Sequence, residues 1–154
     1  MPGYLAIANN IWCYYIKTNG LRTAVFWCKK KSFRALDVGD PFYFLGRRLP
    51  SGERILSGKA CFDSFSTMYV ADAWDKYGEF LGYPDMNSFK EAVRTIYKDD
   101  DCQLGCIVLI RPVFASSDIK ISECGIAFSP YTVSGRIITE EECARADARI
   151  SKHG

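Results

Sequence analysis

An aromatic pair followed by a run of basic residues is the part of the chain whose residue types best suit a ligand. Phe26 and Trp27 stand just before the lysine run 29–31, and Phe33-Arg34 follows. Aromatic rings stack on nucleobases, and lysine and arginine bind phosphates, so this order favours a nucleic-acid ligand. Neighbouring side chains on a strand point to opposite faces, so at most one of the aromatic pair is expected to meet the ligand.

Basic residues are concentrated in the segment from Arg22 to Lys59. It holds nine Lys/Arg against three Asp/Glu, a local charge of +6 in a chain of net charge +2, so the remainder carries −4. A basic segment in a nearly neutral chain indicates a local anionic partner, although a solvated surface stretch has the same composition. The residues predicted to bind phosphates are Lys29, Lys30, Lys31, Arg34, Arg47 and Arg48. We expect them to lie on one side of the fold.

The sequence holds no complete catalytic site of the familiar kinds. Its only histidine is His153, one residue from the end, which leaves no partner for a cysteine or serine nucleophile. No glycine-rich phosphate loop is followed by Lys-Ser/Thr. A carboxylate-only metal site stays open, because any acidic residues offer candidates. We therefore expect a chain that is not an enzyme and has no cofactor.

Seven cysteines at scattered positions indicate reduced thiols rather than a disulfide framework. With a single histidine, a zinc site is not expected either. Residues 1–10 lack the pattern of a secretion signal, and no apolar run approaches the roughly 20 residues that span a bilayer. These features predict a cytoplasmic protein with no membrane partner.

Hydrophobic periodicity predicts six strands and four helices. The strands are expected at residues 4–8, 23–28, 42–45, 55–65, 104–110 and 131–138. One helix follows Asn9 or Asn10, one runs from Val70 until Gly82 stops it, and one begins at the capping box Ser88/Glu91. The box Thr139/Glu142 begins the last helix. Because no regular βαβ series appears, the pattern favours a single α+β domain over 1–154, with an antiparallel, barrel-like sheet and helices packed outside.

Several segments, taken in order, resemble the N-terminal domain of a family of HNH-type restriction endonucleases. They are Phe26-Trp27, Phe33-Arg34-Ala35-Leu36, Gly39-Asp40-Pro41-Phe42-Tyr43-Phe44, Ser57-Gly58-Lys59-Ala60-Cys61-Phe62, Ala73-Trp74-Asp75-Lys76-Tyr77-Gly78, Leu104-Gly105-Cys106-Ile107-Val108-Leu109, Arg111-Pro112-Val113-Phe114 and Val133-Ser134-Gly135-Arg136. The chain departs from the family in having Cys28 and three lysines where small residues usually follow Phe-Trp, and Ser134 where glutamine is usual.

The resemblance implies a small β-barrel with flanking helices, similar to the PUA, EVE and YTH group of modified-base readers. It further implies that a modified base is flipped into a pocket on the barrel. The HNH nuclease that normally follows is absent, so the chain is expected to be an excised or a stand-alone reader, with a nuclease domain or subunit as a possible partner in longer relatives. The residues predicted to form the pocket are Trp27, Trp74, Phe26, Ser134, Arg136 and Gly58.

The pocket prediction gives each residue a role. Trp27 and Trp74 would form opposite walls, Ser134 and Arg136 would hydrogen-bond the base edge, and the backbone at Gly58 would approach closely. Such a site needs roughly 300 Å³ or more. Three other functions stay open: an RNA-binding reader of the same fold, a protein-interaction or regulatory domain with scattered basic residues, and a small enzyme, which no sequence feature supports.

Overall fold

The computed structural model describes residues 2–128 and 135–153, and its strands form one six-stranded sheet. The strands are β1 (Gly3–Ile7), β2 (Thr23–Cys28), β3 (Pro41–Arg48), β4 (Arg54–Tyr69), β5 (Gln103–Lys120) and β6 (Gly135–Ile138), in the order β2-β5-β4-β3-β1-β6. The neighbouring pairs are antiparallel except β1 and β3, which are parallel. The expectation of an antiparallel sheet is therefore wrong for this pair, whose strands are joined by a long crossover rather than a hairpin.

Four α-helices accompany the sheet. They are α1 (Asn10–Thr18), α2 (Val70–Tyr77), α3 (Met86–Tyr97) and α4 (Glu140–His153). Asn9 caps α1, since its side-chain oxygen accepts the Ile11 N–H at 2.7 Å. The capping box of α4 is confirmed: the Thr139 N–H donates to Glu142 at 3.0 Å, and the Glu142 N–H donates to Thr139 at 3.1 Å. Among the described residues, no helix is long and apolar enough to cross a membrane.

Two predicted boundaries in the helical region are wrong. The helix from Val70 ends at Tyr77, because Gly78 adopts a φ of 54° and begins a short 3-10 turn that runs to Leu81. The next helix begins before Ser88, because the Asp85 carboxylate accepts the Ser88 N–H at 2.8 Å and acts as the cap. In the first case an earlier glycine ends the helix, and in the second an earlier aspartate caps it.

The sheet curls so that β2, at one end of the sheet, approaches β3. The ring of Phe26 on β2 lies 5.3 Å from that of Phe42 on β3, although β5 and β4 separate these strands in the sheet. Along β3, Phe42 and Phe44 face the core shared with α1 and β2, whereas Tyr43 and Leu45 face a second core that includes α4. The result is a partly open barrel, with a gap between β1 and β2, which are not hydrogen-bonded neighbours.

A bulge interrupts β5 opposite β4. Ile110 pairs with Cys61 and Val113 pairs with Lys59, so β5 has one residue more than β4 between these pairs. Arg111 in the bulge has a φ of 53°, a left-handed conformation that side chains rarely adopt. Its N–H donates to the carbonyl of Arg22 at 3.0 Å, which ties the bulge to the residue before β2.

Candidate nucleic-acid interface

A pocket of ≈ 230 Å³ opens in the gap between β1 and β2, where α1 begins and α3 ends. Its lining consists of Tyr4, Ala6, Ile7, Asn9, Trp12, Phe26, Trp27, Cys28, Lys30, Ile96, Tyr97 and Ile107. Five of these twelve residues are aromatic, so the walls suit a flat ring. The volume is below the roughly 300 Å³ expected of a ligand site, which restricts the ligand to about one ring system.

Both members of the aromatic pair line this pocket. Their side chains still alternate: Phe26 packs against Trp12 at 5.8 Å, whereas Trp27 packs against Phe89 at 5.5 Å and Tyr97 at 6.1 Å on the other face. β2 is an edge strand bonded only to β5, and the pocket lies beyond its free edge. A pocket in that position reaches residues from both faces of the strand, which alternation alone did not predict.

The tryptophans of the pocket are also core residues. Trp27 is 8% exposed, and its indole N–H donates to the Leu81 carbonyl at 3.1 Å. Trp12 is 2% exposed and donates in the same way to Val25 at 3.0 Å. Because the fold already uses both indole N–H groups, these residues supply apolar walls rather than hydrogen bonds to a ligand.

The polar groups at the pocket are mainly hydrogen-bond donors. Burial, together with the neighbouring thiols of Cys28 and Cys102, raises the pKa of Tyr97 to about 12, so its phenol stays protonated and can donate. Lys30 contributes an ammonium, and Asn9 retains an amide NH₂ after its oxygen has capped α1. This set matches a ligand edge that carries acceptor atoms.

The lysine run begins where β2 reaches the pocket. Lys30 lines the pocket, and the Lys29 ammonium lies 5.1 Å from the centre of the Tyr97 ring. Lys31 and Arg34 belong to the same connection between β2 and β3, and both are exposed. The structure thus places Lys29 and Lys30 of the basic run at the aromatic pocket, where their positive charges favour an anionic ligand.

The two arginines at the end of β3 are placed differently. Arg47 pairs with Asp118 and lines a separate depression of ≈ 370 Å³ together with Lys17. Arg48 follows it on the same strand and is exposed. Arg48 lines another depression with Glu53 and Ile121, and neither arginine lines the aromatic pocket, so the predicted phosphate-binding residues are not gathered in one group.

Trp74 and Gly58 lie outside the pocket lining. Trp74 is half-buried on α2 and stacks on Phe89 at 6.0 Å. Gly58 occurs where the β3–β4 and β4–β5 registers shift, and a side chain there would stand 2.4 Å from the Val113 carbonyl. The predicted close approach at Gly58 is therefore made by the neighbouring strand β5.

Arg136 and Ser134 come from the segment that closes the predicted domain. The Arg136 guanidinium donates to the Ala127 carbonyl at 2.7 Å and pairs with Glu142 at 3.1 Å, so it ties β6 to the start of α4. Ser134 lies outside the described residues. The edge-bonding role that we predicted for this segment consequently remains a prediction.

Sequence reasoning did not assign Tyr97, Asn9 or Trp12 to the pocket. Asn9 was recognised only as a helix cap, and Tyr97 continues the apolar face of α3 that begins at Phe89. Each has a sufficient local explanation, and only the fold brings them together.

Comparisons with known proteins locate the chain by fold. No protein-family model matches it, and no curated protein matches it either. The ASCH protein from Zymomonas mobilis is similar with a TM-score of 0.64 at 14% identity, covering 95% of this chain and 94% of that one. A hypothetical protein from Leishmania major has a TM-score of 0.54 at 12% identity, covering 99% and 96%.

A further solved structure is that of human THYN1 in complex with DNA containing 5-methylcytosine. Its TM-score is 0.53 at 12% identity, and the match covers 99% of this chain and 98% of that one. At these identities the likeness concerns the fold alone. The chain thus has the α+β, PUA-like fold of the ASCH and THYN1 structures, as the sequence predicted.

Proposed function

We propose that this chain binds nucleic acid and holds a modified base, flipped out of duplex DNA, in the pocket between β1 and β2. The observation that carries the proposal is the aromatic pocket with a lysine run at its rim, where Lys30 lines the cavity and Lys29 lies over Tyr97. A solved protein of the same fold, THYN1, is bound to DNA containing 5-methylcytosine, which supports a base as the ligand.

The interaction energies are compatible with base flipping. Extruding a base costs a few kcal/mol, and one base–aromatic stack returns about 1–3 kcal/mol. The donors of Tyr97, Lys30 and Asn9 would pair with acceptor atoms on the base edge. Ile96 and Ile107 add apolar surface, and burying one methyl group there is worth about 0.8 kcal/mol, a roughly fourfold preference for a methylated base.

Binding to matched duplexes tests the proposal. Fluorescence anisotropy would compare duplexes that differ only in one modified base, at several salt concentrations. We expect Tyr97→Phe to weaken binding, because it removes a donor to the base edge, whereas Tyr77→Phe, a half-buried tyrosine on α2 outside the pocket, leaves the affinity unchanged. Lys30→Gln should lower the salt slope by about 1. If no modified base is preferred over its plain counterpart, the modified-base reading fails.

An RNA reader of the same fold is the second candidate. The pocket accepts one ring system, and single-stranded RNA presents unstacked bases without the cost of flipping. Single-stranded RNA should therefore be included as a competitor in the same assay. Competition by RNA at equal or lower concentration than modified DNA would favour this candidate over the DNA reader.

We also propose that the chain serves as the specificity part of a restriction system, with the nuclease supplied by another domain or subunit. The resemblance of the ordered sequence segments to the N-terminal domain of HNH-type restriction endonucleases is the ground for this proposal. The chain alone should leave modified duplexes intact in the presence of Mg²⁺, as judged by denaturing gels. Strand cleavage by the purified chain, lost in a pocket variant, would instead assign it an enzymatic role.

A further inference from the structure

Three cationic side chains border a depression at the opposite end of α1 from the aromatic pocket. Lys17 comes from the last turn of α1, Arg22 precedes β2, and Arg111 lies in the bulge of β5. We call these three residues the trication cluster. The depression measures ≈ 400 Å³, and its other lining residues are uncharged: Ile16, Gly20, Leu21, Pro112 and Phe114. The lining therefore carries a charge of +3 without an acidic residue.

The backbone at Arg111 is strained in order to hold this position. Its φ of 53° is left-handed, and the following Pro112 disfavours helical backbone at the residue before it. A glycine would adopt this conformation without strain, so an arginine here indicates a use for its side chain. The hydrogen bond from the Arg111 N–H to the Arg22 carbonyl, at 3.0 Å, sets the two arginines side by side.

The cluster has no counter-charge within the part of the chain that the structure describes. Arg47 and Arg94 each pair with an aspartate. In contrast, the side chains of Arg22 and Arg111 make no hydrogen bond or ion pair there, and the Lys17 ammonium reaches only a backbone carbonyl at 3.4 Å. Three like charges that line one depression without a carboxylate form a site that an anion would stabilise.

A continuous surface connects this site to the aromatic pocket. Lys17 and Phe114 also line the ≈ 370 Å³ depression that reaches Asn10 at the start of α1, and Asn9 before it lines the pocket. The nine residues of α1 span about 13 Å. A stacked strand advances about 3.4 Å per nucleotide, so this length corresponds to about four nucleotides.

We propose that the trication cluster binds a backbone phosphate of the same strand whose base enters the pocket, about four nucleotides away along α1. This inference rests on the proposed function, since it requires nucleic acid at the pocket. Arginine pairs phosphate oxygens through two parallel hydrogen bonds, and the phosphodiester supplies the missing negative charge. Because phosphate contacts carry no sequence information, the cluster adds affinity without altering the choice of base.

A double variant, Arg22→Gln with Arg111→Gly, tests the inference. The glycine suits the left-handed backbone, so the variant should fold, and thermal unfolding verifies this. We expect binding to a duplex with a central modified base to weaken roughly tenfold, and the salt slope to fall by about 1–2. The ratio of modified to plain affinity should stay unchanged. Lys76→Gln with Lys120→Gln removes the same charge from exposed residues outside both depressions and serves as the matched control.

The position of the modified base provides a second readout. If the base lies two pairs from one end of the duplex, the strand on that side is too short to reach the cluster. Two duplexes are compared, one with the modified base near the left end and one with it near the right end. The double variant should bind one of them with wild-type affinity and the other with reduced affinity. Double-variant binding equal to the control on every duplex overturns the cluster and leaves the proposed function standing. Failure of the wild type to bind any duplex overturns both.

Discussion

Replacing Trp27 by alanine separates the two roles that the structure gives this residue. The side chain is 8% exposed, packs at 5.5 Å against Phe89 and 6.1 Å against Tyr97, and donates to the Leu81 carbonyl. Truncating a buried aromatic of this kind costs about 3–5 kcal/mol of folding free energy. For a chain of 154 residues each kcal/mol lowers Tm by about 2–4 °C, so the variant should melt roughly 6–20 °C earlier.

Trp27→Phe divides this loss further. Phenylalanine keeps an aromatic ring against Phe89 but leaves the buried Leu81 carbonyl without its donor, at a cost of about 1–3 kcal/mol. Thermal unfolding by circular dichroism and DNA affinity should be measured on the same preparations, with binding recorded below the melting transition. If Trp27→Ala melts within about 2 °C of wild type and loses only its preference for the modified base, Trp27 is a stacking residue and the core assignment is refuted.

Three shorter predictions concern stability and thiol chemistry. Asp85→Ala should lower Tm at pH 7 by about 2–4 °C. Hydrogen bonds from Ser88 lower the pKa of the Asp85 carboxyl below its ordinary 3.8. The stability that the cap contributes is therefore fully present above pH 3.8 and is lost as the pH falls through the lowered pKa. Melts at decreasing pH should show the two proteins converging, and a constant gap would contradict the capping role. Burial raises the pKa of Cys106 to about 12, so peptide mass spectrometry should find half-buried Cys61 alkylated before Cys106 in the folded protein; equal rates would show that the fold opens there. Arg111→Gly should raise the free energy of unfolding by about 1 kcal/mol in a denaturant titration, because it relieves backbone strain; a loss of stability would mean that the arginine holds the bulge in place.

Elements decided by neighbouring residues could be predicted from the sequence. The strand expected at 23–28 is β2 with the same bounds, and the Thr139/Glu142 box begins α4. The end of the first helix after β4 could not be predicted, because Gly78 and Gly82 both adopt a positive φ and either one is able to stop a helix. Which of the two glycines ends the helix depends on how the following turn packs against the rest of the fold, and the local sequence pattern contains no information on that packing.

The pocket was predicted only in its β2 part. Phe26, Trp27 and Lys30 are close in sequence, so one motif reveals them together. Asn9 and Tyr97 reach the same cavity from the start of α1 and the end of α3, and their spacing along the chain carries no sign of this contact. A glycine such as Gly58 is ambiguous for a related reason. It indicates that another group approaches the backbone closely, but the sequence does not show whether that group is a neighbouring strand or a ligand.

The walls of the pocket are also part of the core, and this limits which of the lining residues can be substituted without loss of stability. Trp12 and Trp27 each donate an indole N–H to a backbone carbonyl, so substituting either one destabilises the fold. Two residues of the rim have no such role, since Ile96 is 46% exposed and Lys30 is half-buried, whereas exposed Asn9 also caps α1. Under the proposed function, a library that varies Ile96 and Lys30 while keeping both tryptophans and the Asn9 cap should yield folded proteins with altered base preferences.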